Sequence, residues 1–504
     1  MNARLVVATT LAFSSTPVLA QQLPLGVFES QVDVGKTSRP GTATYDVATQ
    51  RYTIEGAGQN MWADHDDFHF VYRKMTGNFI LTMRTQFATA GGNEHRKVGW
   101  SIRPTLETNS THVTAAMHGN GMASLQTRRT VGGPSEQRVT DSLPDRMGQH
   151  IVQLERRDGK YIMSVSRYGD TLVSNELNDV TLPDEVYVGM YICSHDDAVT
   201  ERATFDNVRI TIPARKDFVP YREYIGSHLE TMDVATGDRM ILHEIPGSLQ
   251  APNWTLDGKE LLYSQDGLIY RFNLATRTPS VLNTAFANRN NNDHVLSFDG
   301  KMLGISHGAA DDSGRSNIYT VPLEGGTPKR VTKRGPSYLH GWSPDAKWMV
   351  FAGLRDGEFD IYRVSSAGGD DEKLTNTKGV DDGPEYSPDG QYIYFNSART
   401  GRMQIWRMKP DGSQQEQITH DDYNNWFPHF SPDGKWIVYI AFPKDIPAGD
   451  HPFYKHVYIK LIPAEGGKAK VLAYLYGGQG TINVPSWSPD GKRIAFVGNT
   501  SLLK

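Results

Sequence analysis

The chain has 504 residues, enough for two to four domains. Hydrophobic residues make up 38% and charged residues 22%, a composition that excludes a largely disordered protein. The formal net charge is −5 and Cys193 is the single cysteine, so the sequence predicts neither nucleic-acid binding nor a disulfide framework.

Residues 1–20 are predicted to be an export signal. Arg4 gives a positive start, the apolar stretch 5–13 follows, and residues 18–20 are small enough for a signal peptidase. The stretch is too short and too often interrupted for a transmembrane anchor, and no later segment reaches about eighteen apolar residues. The sequence therefore predicts a periplasmic or secreted protein without an integral membrane segment.

Residues 24–213 are rich in β-strand patterns and show no helical periodicity of useful length. Alternating or β-rich runs occupy residues 79–87, 150–155, 161–166 and 203–212. Asp158-Gly159 is a hairpin signal between two of them. A β-sandwich of two antiparallel sheets is the natural fold for such a segment.

The second half of the chain repeats one turn six times. The turns are Thr255-Leu256-Asp257-Gly258, Ser297-Phe298-Asp299-Gly300, Ser343-Pro344-Asp345-Ala346, Ser387-Pro388-Asp389-Gly390, Ser431-Pro432-Asp433-Gly434 and Ser488-Pro489-Asp490-Gly491. Their Asp-to-Asp spacings are 42, 46, 44, 44 and 57 residues, the length of a four-stranded propeller blade. The fold class is therefore predicted to be all-β, with a six-bladed β-propeller over residues 214–504 after the sandwich.

The two ends of this repeat region complement each other. After the sixth turn, one further strand is predicted at residues 492–497, and two unassigned strands are predicted at 228–234 and 238–243. The ring is expected to close by pairing these strands within one blade, which leaves few open edges. Large apolar residues stand three positions before each Asp and are expected to pack between blades: Trp254, Leu296, Trp342, Tyr386, Phe430 and Trp487.

The candidate site lies on one face of the predicted ring. The repeated turns share one face, termed the hairpin face. The loops between blades share the opposite face, termed the interblade face, and the turns between the second and third strands of each blade lie there too. These loops are residues 289–294, 338–340, 381–385, 424–429 and 479–483. Ligands usually enter a propeller at such a central funnel.

Polar and aromatic residues on this face are predicted to bind ligand and to carry any catalysis. The predicted ligand-binding residues are Asn292, Asp381, Asp382, Asn425, Trp426 and Asn483. The predicted catalytic residues are His340, His429, Glu385, Arg355 and Arg399. Imidazoles titrate near neutral pH, arginines grip carboxylates, and a tryptophan offers a stacking face for a sugar.

A divalent metal ion is the candidate cofactor. His294 and His340 stand five residues before their Asp and His429 stands four before, so three imidazoles from different blades reach the funnel. The alternative is that each histidine bonds the backbone of its own loop. Residues four and five positions before the turn Asp point to opposite sides of a regular strand. This argues against His429 meeting His294 and His340 at one metal ion.

Three family resemblances bear on function. Trp487-Ser488-Pro489-Asp490-Gly491-Lys492 and the run 361–364 resemble the TolB-like propeller family, which implies a periplasmic protein that docks a protein partner. The segments 62–64, 68–72 and 97–103 resemble laminin-G and concanavalin-like sandwiches, which implies carbohydrate binding. The carboxylate motif of glucanases with that sandwich fold is missing.

The segment 428–434 is similar to oligogalacturonate lyases, whose propellers hold a metal through histidines. That resemblance implies that His340 or His429 is a base and that Arg355 or Arg399 holds a uronate carboxylate. Those lyases have seven blades and lack the N-terminal sandwich.

Two functions therefore stand. The first is an exported TolB-like propeller protein that binds a polar ligand or a periplasmic protein partner at its funnel. The alternative is a glycan-active enzyme, a polysaccharide lyase or glycoside hydrolase with or without a metal, whose sandwich binds the polysaccharide or oligosaccharide. Enzyme status stays open.

Overall fold

The computed structural model describes residues 25–142, 148–219 and 221–503. The predicted export signal, residues 1–20, lies outside the described residues. Nearly all of the regular structure is β-strand. No helix among the described residues has the length and apolar character needed to cross a bilayer.

The strands of the N-terminal half are β1 (Ser30–Val34), β2 (Thr42–Asp46), β3 (Arg51–Gly56), β4 (Met61–Trp62), β5 (His65–Asp66), β6 (Phe68–Met75), β7 (Phe79–Phe87), β8 (Lys97–Arg103), β9 (His112–His118), β10 (Met122–Arg128), β11 (Ser135–Ser142), β12 (His150–Arg157), β13 (Lys160–Arg167), β14 (Val173–Leu177), β15 (Val186–Cys193) and β16 (Glu201–Thr211).

Within residues 25–142 and 148–219, two seven-stranded antiparallel sheets account for most of these strands. One has the order β1-β6-β15-β8-β9-β10-β11 and the other β14-β13-β12-β7-β16-β3-β2. Apolar side chains of both sheets fill one core, which contains Trp100 and Leu125 from the first and Leu81 and Leu154 from the second. Trp100 Nε1 also donates to the Val152 carbonyl across the two sheets (3.2 Å).

The strands of the C-terminal half are β17 (Ser227–Asp233), β18 (Arg239–Ile245), β19 (Gln250–Trp254), β20 (Glu260–Gln265), β21 (Leu268–Asn273), β22 (Thr278–Val281), β23 (Asn290–Leu296), β24 (Met302–Gly308), β25 (Ser316–Pro322), β26 (Lys329–Arg330), β27 (Ser337–Trp342), β28 (Trp348–Arg355), β29 (Glu358–Ser365), β30 (Glu372–Lys373), β31 (Asp381–Tyr386), β32 (Ile393–Ser397), β33 (Gln404–Met408), β34 (Glu416–Gln417), β35 (Asn424–Phe430), β36 (Trp436–Phe442), β37 (Lys455–Pro463), β38 (Lys470–Gly477) and β39 (Arg493–Asn499). A 3₁₀ helix spans Ala310–Asp312.

Across the described residues 221–503, six antiparallel sheets form a six-bladed β-propeller. Blades 1 to 5 are β19–β22, β23–β26, β27–β30, β31–β34 and β35–β38, each in sequence order. Blade 6 contains β39, β17 and β18, and its innermost segment meets β39 through a bridge between Trp487 and Ile494. The predicted pairing of the two ends is confirmed, since β17 lies antiparallel to β39.

The repeated turns owe their shape to one hydrogen-bond pattern. In blade 4, Ser387 Oγ donates to Asp389 Oδ1 (2.6 Å) and accepts from the Tyr392 amide (3.0 Å). The same Ser–Asp bond occurs at Ser297, Ser343, Ser431 and Ser488, and Thr255 replaces Ser in the first turn. The turn thus caps its own backbone, which explains why this short motif recurs.

The large apolar residues before these turns are core residues, as predicted. Trp342 Nε1 donates to the Val295 carbonyl of the preceding blade (2.9 Å), and Trp487 Nε1 donates to the His429 carbonyl (3.1 Å). Trp342 and Trp487 therefore each join two blades by packing and by a hydrogen bond.

Buried charges join the N-terminal sheets to blade 6. Glu230 of β17 binds Arg209 of β16 (2.9 Å) and Arg239 of β18 (2.8 Å), and it is 1% exposed. Burial alone would raise the pKa of Glu230, but the two arginines outweigh it and lower that pKa to about 2. The contact fixes the start of the linker that leads from β16 to the propeller.

Candidate functional site

A cavity of about 490 Å³ opens at the interblade face. All six blades contribute to its walls, and so do the linker before β17 and the long loop between β36 and β37. Five of the residues predicted from sequence line it: Asn292, His340, Asp382, Trp426 and Asn483.

Irregular inner strands aim side chains at this cavity. The pairing of the inner strand with the second strand shifts register between Gln250 and Asn253, Asn290 and His294, Leu339 and Gly341, Asp382 and Glu385, and Trp426 and His429. A β-bulge inserts unpaired residues and turns their side chains away from the regular alternation. Of the unpaired residues, 291–293, His340 and Phe427 line the cavity, and Asp382 and Trp426 line it from the last paired position before a shift.

Three residues in these bulges adopt left-handed backbone conformations. Ala251 has φ of 55°, Phe427 has φ of 56° and Gly383 has φ of 59°. A Cβ at position 383 would lie 2.5 Å from Asn396 Oδ1 and 2.9 Å from the Phe427 ring, so glycine is needed there. The close approach of these two bulges packs blades 4 and 5 together beneath the cavity.

His340 and Asp382 form an ion pair in the cavity wall. His340 Nε2 lies 3.1 Å from Asp382 Oδ1, which also accepts the Gly383 amide (2.7 Å). Burial would lower the pKa of His340, but Asp293 and Asp382 outweigh it and raise that pKa above its ordinary value. Burial would raise the pKa of Asp382, but chiefly the hydrogen bond and charge of His340 lower it.

Asp293 is the second buried carboxylate of the cavity. Its Oδ2 accepts a hydrogen bond from Asn291 Nδ2 (2.7 Å). Burial raises the pKa of Asp293 to about 6, with His340 opposing and Asp382 reinforcing the shift. Two carboxylates in one cavity therefore hold protons with very different strength, an arrangement suited to acid–base chemistry.

An aromatic group covers another wall. The indole of Trp426 stacks on the His451 ring (centroids 4.4 Å apart, planes at 28°), and Phe427 stacks on His340 (5.5 Å, 20°). Burial lowers the pKa of His451. His451 reaches the cavity on the long loop of residues 443–454, which also accounts for the 57-residue spacing of the last repeat.

The rim is built partly by the linker between the two halves. Tyr221 and Tyr224 contact Phe453 edge to face, with ring centroids 5.1 Å and 5.8 Å away. Both tyrosines are well exposed and line the cavity. A ligand entering the funnel would therefore pass this aromatic rim.

Four buried polar atoms on residues of the cavity wall have no hydrogen-bond partner in the structure: Trp426 Nε1, Asn292 Nδ2, His340 Nδ1 and Asn290 Oδ1. Trp426 and Asn292, which are 0% and 4% exposed, carry neutral donors among them. Buried polar groups are nearly always bonded, so unpaired donors beside a cavity indicate that a ligand or solvent accepts from them.

His429 and Glu385 lie outside the cavity lining, between blades. His429 Nδ1 binds Glu385 Oε2 (2.7 Å), and His429 Nε2 donates to the Ile482 carbonyl (3.0 Å). Glu385 Oε1 also accepts the Phe430 amide (3.0 Å). Both ring nitrogens are thus engaged in joining blades 4, 5 and 6.

His294 and the two predicted arginines also lie outside the lining. His294 is fully buried, and burial lowers its pKa to about 4. Arg355 binds Asp371 (2.8 Å) within blade 3, and Arg399 binds Asp381 (3.0 Å) within blade 4. These bonds occupy the guanidinium groups that were expected to grip a ligand carboxylate.

Asn425 points away from the cavity as well. Its Nδ2 donates to Asp421 Oδ1 (2.9 Å) and Thr419 Oγ1 (3.2 Å) inside blade 5. In the described part of the chain, no group of three or more His, Cys, Asp or Glu side chains is placed to hold a metal ion. The structure therefore does not bring His294, His340 and His429 together, because only His340 lies in a bulge that faces the funnel.

Sequence reasoning missed Asp293, His451 and the rim tyrosines. One signal was available for the bulges. Proline stands five residues before the turn Asp in four blades, at Pro252, Pro384, Pro428 and Pro485, and proline inside a strand marks an irregular ladder. His294 and His340 occupy the same repeat position in the remaining two blades.

The architecture defines an all-β protein with a six-bladed β-propeller. Residues 340–448 match the TolB beta propeller domain. An uncharacterized protein of Agrobacterium fabrum is 46% identical over 272 residues, which cover 54% of this chain and 92% of that relative. The chain belongs to the TolB-like propeller family.

Two solved structures are similar to parts of the chain. A protein of Agrobacterium tumefaciens described as TolB is 44% identical, with a TM-score of 0.53, over 56% of this chain and 100% of its own. TolB of Acinetobacter baumannii is 18% identical, with a TM-score of 0.40, over 65% of this chain and 80% of its own.

Proposed function

We propose that this is an exported TolB-like propeller protein that binds a polar ligand or a periplasmic protein partner in the funnel cavity. The observation that carries the proposal is a single cavity lined by His340, Asp382 and Trp426, each of which lies in or directly before a register shift of its inner strand. A purely structural ring needs no such irregularity, and bulges concentrate next to functional sites. Export rests on the pattern of residues 1–20.

We further propose that residues 24–213 form a concanavalin-like sandwich. The two sheets with a shared core support this assignment. Its contact with blade 6 through Glu230 holds the linker, and with it Tyr221 and Tyr224, beside the funnel mouth. In this arrangement the sandwich supports the rim of the propeller site.

A labelled rim tests the binding proposal. Cys193 is fully buried, so a cysteine introduced by Tyr224→Cys can be labelled selectively with a fluorophore. A Lys347→Cys variant carries the same label on the hairpin face as a matched control. The labelled proteins are then titrated with neutral, acidic and basic oligosaccharides and with peptides.

We expect at least one compound to change the fluorescence of the rim label and leave that of the control unchanged. If every compound leaves the rim label unchanged, or changes both labels equally, the funnel is not a binding site.

A specific observation also supports the enzyme alternative, in the form of a glycoside hydrolase. Asp293 has a raised pKa of about 6 and Asp382 a lowered one, as an acid and a charged carboxylate require. A lyase is less well supported because Arg355 and Arg399 bind Asp371 and Asp381 elsewhere. Release of reducing ends from the oligosaccharide panel, abolished by Asp293→Asn, would establish the hydrolase.

A further inference from the structure

The funnel cavity has an acidic lining without opposing arginine or lysine. Asp266, Asp293 and Asp382 line it, and within the described residues no Lys or Arg does. Its basic groups are the imidazoles of His340 and His451, and His340 is paired with Asp382. A ligand with a carboxylate or phosphate would meet repulsion here, whereas a protonated amine would be attracted.

The buried carboxylate of Asp293 reinforces this preference. It accepts from the neutral amide of Asn291 and has no guanidinium or ammonium beside it in the cavity. Because burial then disfavours its charge, the pKa of Asp293 rises to about 6. A cationic group in the cavity would add to the positive charge of His340, which by itself does not outweigh the burial of Asp293.

The unpartnered donors indicate the rest of the ligand. Trp426 Nε1 and Asn292 Nδ2 both need an acceptor oxygen. A lysine side chain offers an ammonium group and methylenes but no such oxygen. A hydroxylated ring offers several.

The volume of the cavity and its aromatic walls suit a sugar ring as ligand. Tyr338 and Phe453 line the cavity, and such faces stack on the apolar side of a pyranose and attract a cation. At about 490 Å³ the cavity is in the range of small-molecule sites and is far larger than one amine.

We propose that the funnel binds a protonated amino sugar, with its ammonium group toward Asp293 and Asp382 and its hydroxyl oxygens toward Trp426 and Asn292. The inference rests on the proposed binding function and gives that site its ligand class.

A charge series on one ring tests the proposal by isothermal titration calorimetry near neutral pH. The probes are glucosamine, glucose and glucuronate. Nα-acetyl-lysine methylamide, whose side-chain amine is free, serves as an amine that lacks the ring. We expect glucosamine to bind at least about tenfold more tightly than glucose, and glucuronate to bind more weakly than either.

Three variants localise the effect. Asp382→Asn removes a cavity carboxylate and is expected to abolish the preference for glucosamine over glucose. Asp266→Asn removes a more exposed carboxylate and is expected to reduce the preference for glucosamine without abolishing it. This variant keeps the test valid if Asp382→Asn fails to fold. Asp370→Asn, an exposed carboxylate paired with Lys333, is the control and should leave the preference unchanged.

Equal affinity for glucosamine and glucose, or tighter binding of the lysine derivative, would overturn the amino-sugar proposal and leave the binding function intact. Tightest binding of glucuronate would overturn it as well. The binding function itself fails only if the rim label of the Tyr224→Cys variant also stays silent with every compound.

Discussion

His340 and His429 show how similar residues serve different ends in this ring. Each imidazole is buried and bonded to a carboxylate from a neighbouring blade, at 3.1 Å for Asp382 and 2.7 Å for Glu385. His340 lies in a bulge and borders the cavity, whereas His429 follows a bulge and has both nitrogens bonded between blades. The difference teaches that residue type and spacing do not identify a site residue; its place relative to the bulge does.

The largest expected effect is the loss of stability on replacing His429. The His429→Ala variant leaves Glu385 buried without its partner and exposes the Ile482 carbonyl to a small void. We expect a loss of about 4 kcal/mol in the free energy of unfolding. Denaturant unfolding followed by circular dichroism measures it.

The matched variant is His340→Ala, whose partner Asp382 lies at the cavity, where water can solvate it. We expect its loss to be smaller, about 1–2 kcal/mol. Equal losses in the two variants would show that the comparison between site and scaffold is wrong.

The second prediction concerns pH, where Asp293 and Asp382 should respond with opposite sign. Asp293 binds its proton more tightly folded (pKa about 6) than unfolded, so stability falls as pH rises through the window between its ordinary pKa of 3.8 and about 6. The Asp293→Asn variant lacks this loss. Its free energy of unfolding should therefore rise relative to that of the wild type by at most about 3 kcal/mol across the window.

Asp382 has a lowered pKa, so its stabilising contribution is present above its ordinary pKa and is lost as pH falls. The Asp382→Asn variant should therefore be less stable than the wild type at neutral pH and approach it in acid. Melting temperatures across the pH range, measured for both variants, test the pair. Curves that move in the same direction would contradict the assigned environments.

The fold was predictable because its signals are local. The Ser–Asp turn caps its own backbone, as at Ser387, so it leaves the same letters in every blade and fixes the strand period. The complementary strands at the two ends predicted how the ring closes, and β17 does pair with β39.

The site was only partly predictable because it depends on register. The interblade face could be inferred from topology, and five of the predicted residues line the cavity. Which side of a strand a residue faces, however, depends on how many residues the bulge leaves unpaired. Glu385 illustrates this, since it follows the two residues that the blade 4 bulge leaves unpaired and binds His429 between blades instead of lining the funnel.

The third prediction applies to a repeated turn on the hairpin face. Ser387→Ala removes an acceptor for the Tyr392 amide and a donor to Asp389. Because the turn is at the surface and water can replace part of the bonding, we expect a loss of about 1 kcal/mol without change in ligand affinity. A change in affinity would mean that the two faces of the propeller are coupled.

The smallest expected difference in stability is the one between variants of Trp426 and Trp487. Trp487 Nε1 donates to the His429 carbonyl (3.1 Å), so Trp487→Phe loses a buried bond and should cost about 1–3 kcal/mol. Trp426 Nε1 has no acceptor, so Trp426→Phe loses packing but no hydrogen bond and should cost about 1 kcal/mol less than Trp487→Phe. The Trp426→Phe variant should weaken glucosamine binding several-fold, because the ligand loses that donor. Thermal melting and calorimetry of both variants decide the matter: a large stability loss with unchanged binding would make Trp426 a scaffold residue like Trp487.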